Sequence, residues 1–428
     1  MTEARLTMRS KKRRWSLLLL ATCLIGGLLQ TPLLQDRLQC WRIRSFLADS
    51  RLNDAFELAR EYAARRPSCV ECQFLLAKTA RRMGDFSLAE QALRTAQRLG
   101  WDRRGIRFEQ ILAVAQSGQT DSVKRELQLI FASNLVPSDT AEVYEAMANG
   151  HLAAFNIPEF LKCVGFWLEW RPDATQPRLM KAALFSRLGN HAASADEYEA
   201  LVQDRPDCLA ARLGWGECLL ALNLASKAAP ELQICYDQEP TARTSLIFAK
   251  CLVQTGSADE AEAILLRCIE TPDVELRSQI VEELGRLHLD RNEVAEAIKY
   301  LTVSTRITPE SSSAWHALSA AYSMLGESEK AADALTLSRE TQQRCQRLVD
   351  IVIELARKPE STPHRLEAAE ILFQQGMKKD AAAWLKTILA RNPHHQKANR
   401  MLAKYYRDSG QQELAEKHAR LGGLETER

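Results

Sequence analysis

Apolar positions along most of this chain recur at three- and four-residue spacing, in runs broken by glycine or proline. That rhythm predicts helices arranged in pairs. The clearest pair lies between Ser312 and Cys345. Trp315, Leu318, Ser319 and Tyr322 share one face of a first helix there. Gly326 closes a turn, and Ala331, Leu335 and Ser338 mark the inner face of a second helix. Small residues recur at the position of Ser319, as Ala77, Ala148, Ala182, Gly216, Ala249, Gly285, Ala369 and Ala403. At the position of Ala331 they recur as Ala55, Ala89, Ala228, Ala261, Ala297, Ala381 and Ala415. A small side chain at each place lets the two helices approach closely. Pro67, Pro172, Pro206, Pro240, Pro309 and Pro393 fall where a second helix must stop, because proline disfavours the helical conformation of the residue before it.

The units begin at Asp36, Val70, Arg104, Ala141, Thr175, Leu209, Ala242, Ser278, Ser312, Thr362 and Gln396, and most successive starts are 34 residues apart, as from Thr175 to Leu209. Ile43, Ile111, Val123, Phe160 and Ser194 depart from the small-residue rule. The spacing W-x2-L-small-x2-Y, then Gly, then Ala, at this period, resembles the tetratricopeptide repeat. The resemblance implies an all-α, right-handed superhelical solenoid of helix–turn–helix units. About nine units fill residues 36–345 and two more fill 362–422, with a tail at 423–428.

Residues 346–361 do not fit the period. Leu348, Ile351, Val352 and Leu355 stand at helical spacing there, which predicts that the second helix of the ninth unit runs on until Lys358-Pro359. Thr362 then caps the next helix. One reading is an extra helical stretch packed over the seam; the other is a hinge or docking surface for a partner.

The N-terminus has a different pattern. Residues 1–14 are basic, ending in Lys11, Lys12, Arg13 and Arg14, and no charge occurs from Trp15 to Leu34. Such a stretch, at about 1.5 Å of rise per residue, spans roughly 30 Å, the thickness of a bilayer core. The favoured expectation is one transmembrane helix over 15–34, an uncleaved anchor. Its basic flank would stay cytoplasmic and the repeats would lie on the outer or periplasmic side. Export after signal cleavage is an alternative, although Ala21-Thr-Cys23 falls early for a cleavage site. Lipidation at Cys23 is a third reading.

Composition narrows the function. Ala and Leu dominate while β-branched runs are rare, in keeping with an all-helical chain. The net charge of +2 gives no electrostatic reason to expect nucleic acid. Eleven cysteines are many for an exported protein. Cys218 and Cys251 occupy matching points of successive first helices, and Cys235 and Cys268 do so in second helices; those are interior positions where Cys acts as a small apolar residue. Cys69 and Cys72 form the one short pair, at a helix start that favours thiolate. A local disulfide, an inter-unit disulfide, and a redox or metal role all stay open for them. The histidines are scattered, and no phosphate loop, G-x-S-x-G or H-E-x-x-H occurs. The sequence therefore predicts no catalytic residue, no cofactor, no metal and no small-molecule substrate.

What remains is the surface. In the resembled family the first helices line a concave groove that holds peptides or partner helices. Lys78, Arg81 and Arg82 in the second unit, and Arg400, Lys404 and Arg407 in the last, are read at outward first-helix positions. Basic residues there would pair with carboxylates of a bound chain. The expected function is a non-catalytic, membrane-anchored scaffold for proteins or peptides. The alternatives are a regulatory subunit of a membrane or envelope enzyme complex, and an envelope assembly factor.

Overall fold

Many of the helices start, turn and stop for a local reason, although the expected cap at Thr362 is absent: Ser361 precedes the helix Thr362–Gln374 there and its side chain makes no capping hydrogen bond. Asp85 accepts a hydrogen bond from the backbone N–H of Leu88, and Asp102 from that of Gly105. Asn190 and Ser311 do the same for Ala193 and Ala314. Each bond satisfies a donor that the first helical turn leaves free. The turn inside a pair needs one left-handed residue, met by glycine at Gly84 (φ 82°) and Gly326 (φ 76°). Asn223, Asn292 and Phe155 take the corresponding turn in their units, with φ of 60°, 63° and 51°. Asn tolerates this region, whereas Phe155 holds it at a cost of about 1–3 kcal/mol. Second helices end at Arg65, Trp170, Asp204, Gln238, Ile307 and Arg391, two residues before the terminating prolines.

The computed structural model describes residues 32–48, 51–133 and 136–424. Among the described residues there are twenty-two α-helices, one 3-10 helix over Thr120–Val123 and no strand. The helices follow one another in pairs, the all-α repeat architecture that the resemblance implied. Contacts divide the chain into two units, residues 1–150 and 151–428. In the first, Cys40, Ile43, Ala55, Ala59 and Tyr62 pack with Cys72, Leu75, Ala77, Leu93 and Ile106. Ile111, Leu112, Val123, Val143 and Ala146 form a second core beside them. The large residues at the small positions, Ile43 and Ile111, are both buried in these cores.

In the second unit the small positions are tight. A Cβ added at Gly216 would meet Leu232 Cδ2 at 2.4 Å, and one at Gly285 would meet Leu301 Cγ at 2.7 Å. Ser319 uses its size differently, donating to the carbonyl of Ala331 across the pair at 2.7 Å. Trp315 donates from Nε1 to the carbonyl of Pro309 at 2.8 Å, so this aromatic ties its helix to the preceding turn.

The second helix of the ninth unit runs unbroken from Ser328 to Arg357, 30 residues. Ile351 and Leu355 are fully buried against Ala368, Ala369 and Leu372. Leu348, Val349 and Val352 face Leu152, Phe155, Ile157, Leu184 and Leu188 around a small apolar cavity of about 170 Å³, with Arg187 at its edge. Phe155 stacks on Trp384, with ring centroids 3.3 Å apart. The extension therefore packs within its own unit, while Val349 and Ile353 remain exposed.

None of the described helices is long and apolar enough to cross a membrane. The segment 15–34 lies outside the described residues except for its last three, which belong to the helix Pro32–Ala48.

Candidate functional site

A groove of about 590 Å³ runs across successive first helices of the second unit. Thr175–Arg187 supplies Ser186, Leu209–Ala221 supplies Glu217 and Leu220, Ala242–Gln254 supplies Arg243, Leu246, Ile247 and Lys250, and Val274–Asp290 supplies Leu276 and Gln279. Leu220, Leu246 and Ile247 are nearly buried and make an apolar floor. Arg243 stands over it and donates from Nη2 to both carboxylate oxygens of Glu217, each at 3.1 Å. Both side chains of that pair are substantially exposed, so its internal bond is weak and open to exchange with a ligand carboxylate. Two helical turns further on, Lys250 lies near the buried Glu283. Burial pushes the Glu283 carboxyl up, against the pull of Lys250 and Arg286. His191, also in the lining, has a buried Nδ1 with no hydrogen-bond partner among the described residues.

The groove differs from the basic clusters expected from sequence. Arg81 is buried, not outward: Nε donates to Glu109 at 2.6 Å, Nη1 to Gln116 at 2.9 Å and Nη2 to Glu142 at 3.4 Å. Lys78 pairs with Glu142 at 2.6 Å and Arg82 with Glu145 at 3.0 Å. The next two first helices, Arg103–Gln116 and Pro137–Ala153, bring these carboxylates over the basic face. Burial pushes the Glu142 carboxyl up, opposed by Lys78 and Arg81 and reinforced by Glu109. These three cations thus form an internal ionic seam. Arg400 donates from Nε to the carbonyl of Gly422 at 2.6 Å, fixing the last turn of the chain. Lys404 and Arg407 are exposed on the same final pair.

The residues of the central groove have a sequence signal that the repeat pattern masks. In the helix Ala242–Gln254, Thr244 to Ala249, Cys251 and Leu252 are all buried, so the helix is apolar on more sides than one packing face explains. Arg243 and Lys250, seven residues apart, share one face across that apolar surface.

The cysteines divide. Cys218, Cys235 and Cys251 are buried at packing positions, where Cys218 donates to Ser194 and Cys251 to the Ala225 carbonyl. Cys69 and Cys72 are joined by a disulfide. Cys40, which nothing in the local sequence links to them, brings its Sγ to 3.4 Å from that of Cys72. Burial pushes the thiols of Cys40 and Cys163 up to about 12 and that of Cys235 to about 11. They stay protonated at neutral pH and are poor nucleophiles.

The helix pairs define a helical-hairpin repeat protein. Residues 42–104 and 179–243 match the family model of the tetratricopeptide repeat, and the chain carries repeats of that type. Among solved structures, YrrB, described as a TPR protein with an unusual peptide-binding site, is 17% identical with a TM-score of 0.31 over 42% of this chain and 92% of its own. MamA is 17% identical with a TM-score of 0.32, over 39% of this chain and 96% of its own. Human IFIT1, solved as a dimer with PPP-AAAA, is 15% identical with a TM-score of 0.44, over 84% and 91%. No curated protein matches the chain.

Proposed function

We propose that this protein is a non-catalytic scaffold that binds a segment of another protein in the groove across residues 186–279. The observation that carries the reading is the apolar floor of Leu220, Leu246 and Ile247 beneath the exposed Arg243–Glu217 pair and Lys250. An apolar side chain of the guest would bury against the floor. A guest carboxylate would exchange with Glu217 for Arg243, or approach Lys250, and set the direction of the chain. The matching family model supports a binding role. The uncharged run after a basic N-terminus supports an anchor over 15–34, which would hold the groove near a membrane surface with the repeats on its outer side.

A photo-crosslinking residue at Leu246 in the full chain, followed by mass spectrometry of the adducts, tests the binding. The expected result is a defined protein adduct that falls at least tenfold when Arg243 and Lys250 are both changed to Glu. No defined adduct, or one indifferent to both charges, would overturn it. An N-terminal epitope that is lost from the mature chain would remove the anchor and leave the groove reading intact.

A further inference from the structure

We propose that in the reduced chain Cys40, Cys69 and Cys72 form a three-thiolate site for copper(I). The three sulfur atoms lie within 4.8 Å of one another, and all three residues are buried. They come from two elements held by a continuous core. Cys40 sits on the helix Pro32–Ala48, and Cys69 and Cys72 sit at the N-cap and first turn of the helix Val70–Arg82. The Cys69 sulfur already accepts from the backbone N–H of Cys72 at 3.4 Å, the kind of outer hydrogen bond that steadies a metal thiolate.

Distance favours the assignment. Three metal–sulfur bonds of about 2.3 Å at trigonal angles place the sulfurs roughly 4.0 Å apart. The Cys40–Cys72 separation of 3.4 Å lies inside that edge, and opening the Cys69–Cys72 disulfide lets the sulfurs move outward toward it. Local charge is a cost that the Cu–S bonds must exceed: the Glu71 carboxylate, within hydrogen-bond reach of the Cys40 thiol, and Asp36 both oppose thiolate there, and Arg44 is the cation that offsets them. Soft thiolates select copper(I) and zinc, and zinc in a closed site takes four ligands. Three sulfur donors among the described residues therefore point to the ion that accepts three.

The chemistry is balanced in two steps. A dithiol reductant gives two electrons and two protons to the Cys69–Cys72 disulfide and is itself oxidised to a disulfide. Copper(I) then forms three Cu–S bonds while the three thiols release their protons to solvent.

The test uses the full chain, reduced with a dithiol and loaded anaerobically with copper(I) or zinc(II) in competition with a chromophoric chelator. A variant with all three residues changed to Ser provides the background from the remaining cysteines. The expected result is one tightly held copper(I) per chain above that background. Cys40→Ser, which leaves Cys69 and Cys72 in place, should weaken binding more than about a hundredfold, beyond the loss brought by an outer-shell change. Circular dichroism should show the variant's helix content unchanged. Copper(I) held equally by wild type and Cys40→Ser would overturn the site, and so would zinc(II) retained in preference to copper(I).

Discussion

Arg81 shows how much one side chain depends on partners far along the chain. Its guanidinium is 1% exposed and is met by Glu109, Gln116 and Glu142. Removing one member of a buried ionic group leaves the rest charged and unpaired, which costs about 3–5 kcal/mol. Arg81→Ala is therefore expected to lower unfolding stability by about that amount in urea titrations, with Glu109→Gln recovering a large part of the loss in the double variant. A groove residue would behave otherwise, with weakened binding and unchanged stability. The sequence was misleading here for a physical reason. Lys78, Arg81 and Arg82 have the spacing of a solvated face, and the carboxylates that cover it come from positions 28 to 64 residues away. Local spacing carries no record of them.

At the scale of the element, most of the architecture was legible. Small residues at Gly216 and Ser319, turn glycines at Gly84 and Gly326, and the terminating prolines each act within their own unit, so their signals are short-range. The long helix Ser328–Arg357 was legible as well, from Leu348, Ile351, Val352 and Leu355. What those residues pack against was not. The two isoleucines of this stretch separate its roles. Ile351 is fully buried and Ile353 is 41% exposed. Ile351→Asp places a carboxylate in the core and should cost at least about 3 kcal/mol. Ile353→Asp should stay within about 0.5 kcal/mol of wild type. Thermal unfolding of the two variants checks this, and equal losses would contradict the assigned faces.

At the scale of the molecule, a repeat array distributes its stability through neighbouring interfaces. The first unit's core from Cys40 to Ile106 and the second unit's core from Leu219 to Leu287 share no residue. A lesion in one should therefore stay local. Gly216→Val drives a side chain into Leu232 and should cost about 1–3 kcal/mol. Hydrogen exchange is expected to accelerate in helices between Leu209 and Gln254, while amides between Leu75 and Ala96 keep their protection. Acceleration throughout would mean a single cooperative block. The groove belongs to this same scale. It arises where successive first helices bring Leu220, Leu246 and Leu276 side by side, and no single repeat contains it.

The contact of Phe155 with Trp384 and the extension has an evolutionary consequence. Repeat arrays ordinarily grow and shrink by copying or deleting whole modules, because each module meets only the next. Here Phe155, in its left-handed turn, stacks on Trp384, more than two hundred positions downstream. Any duplication or loss of a module between them would pull the two rings out of register. The number of modules in that span is thus fixed by geometry, and variation in array length is confined to the segments on either side.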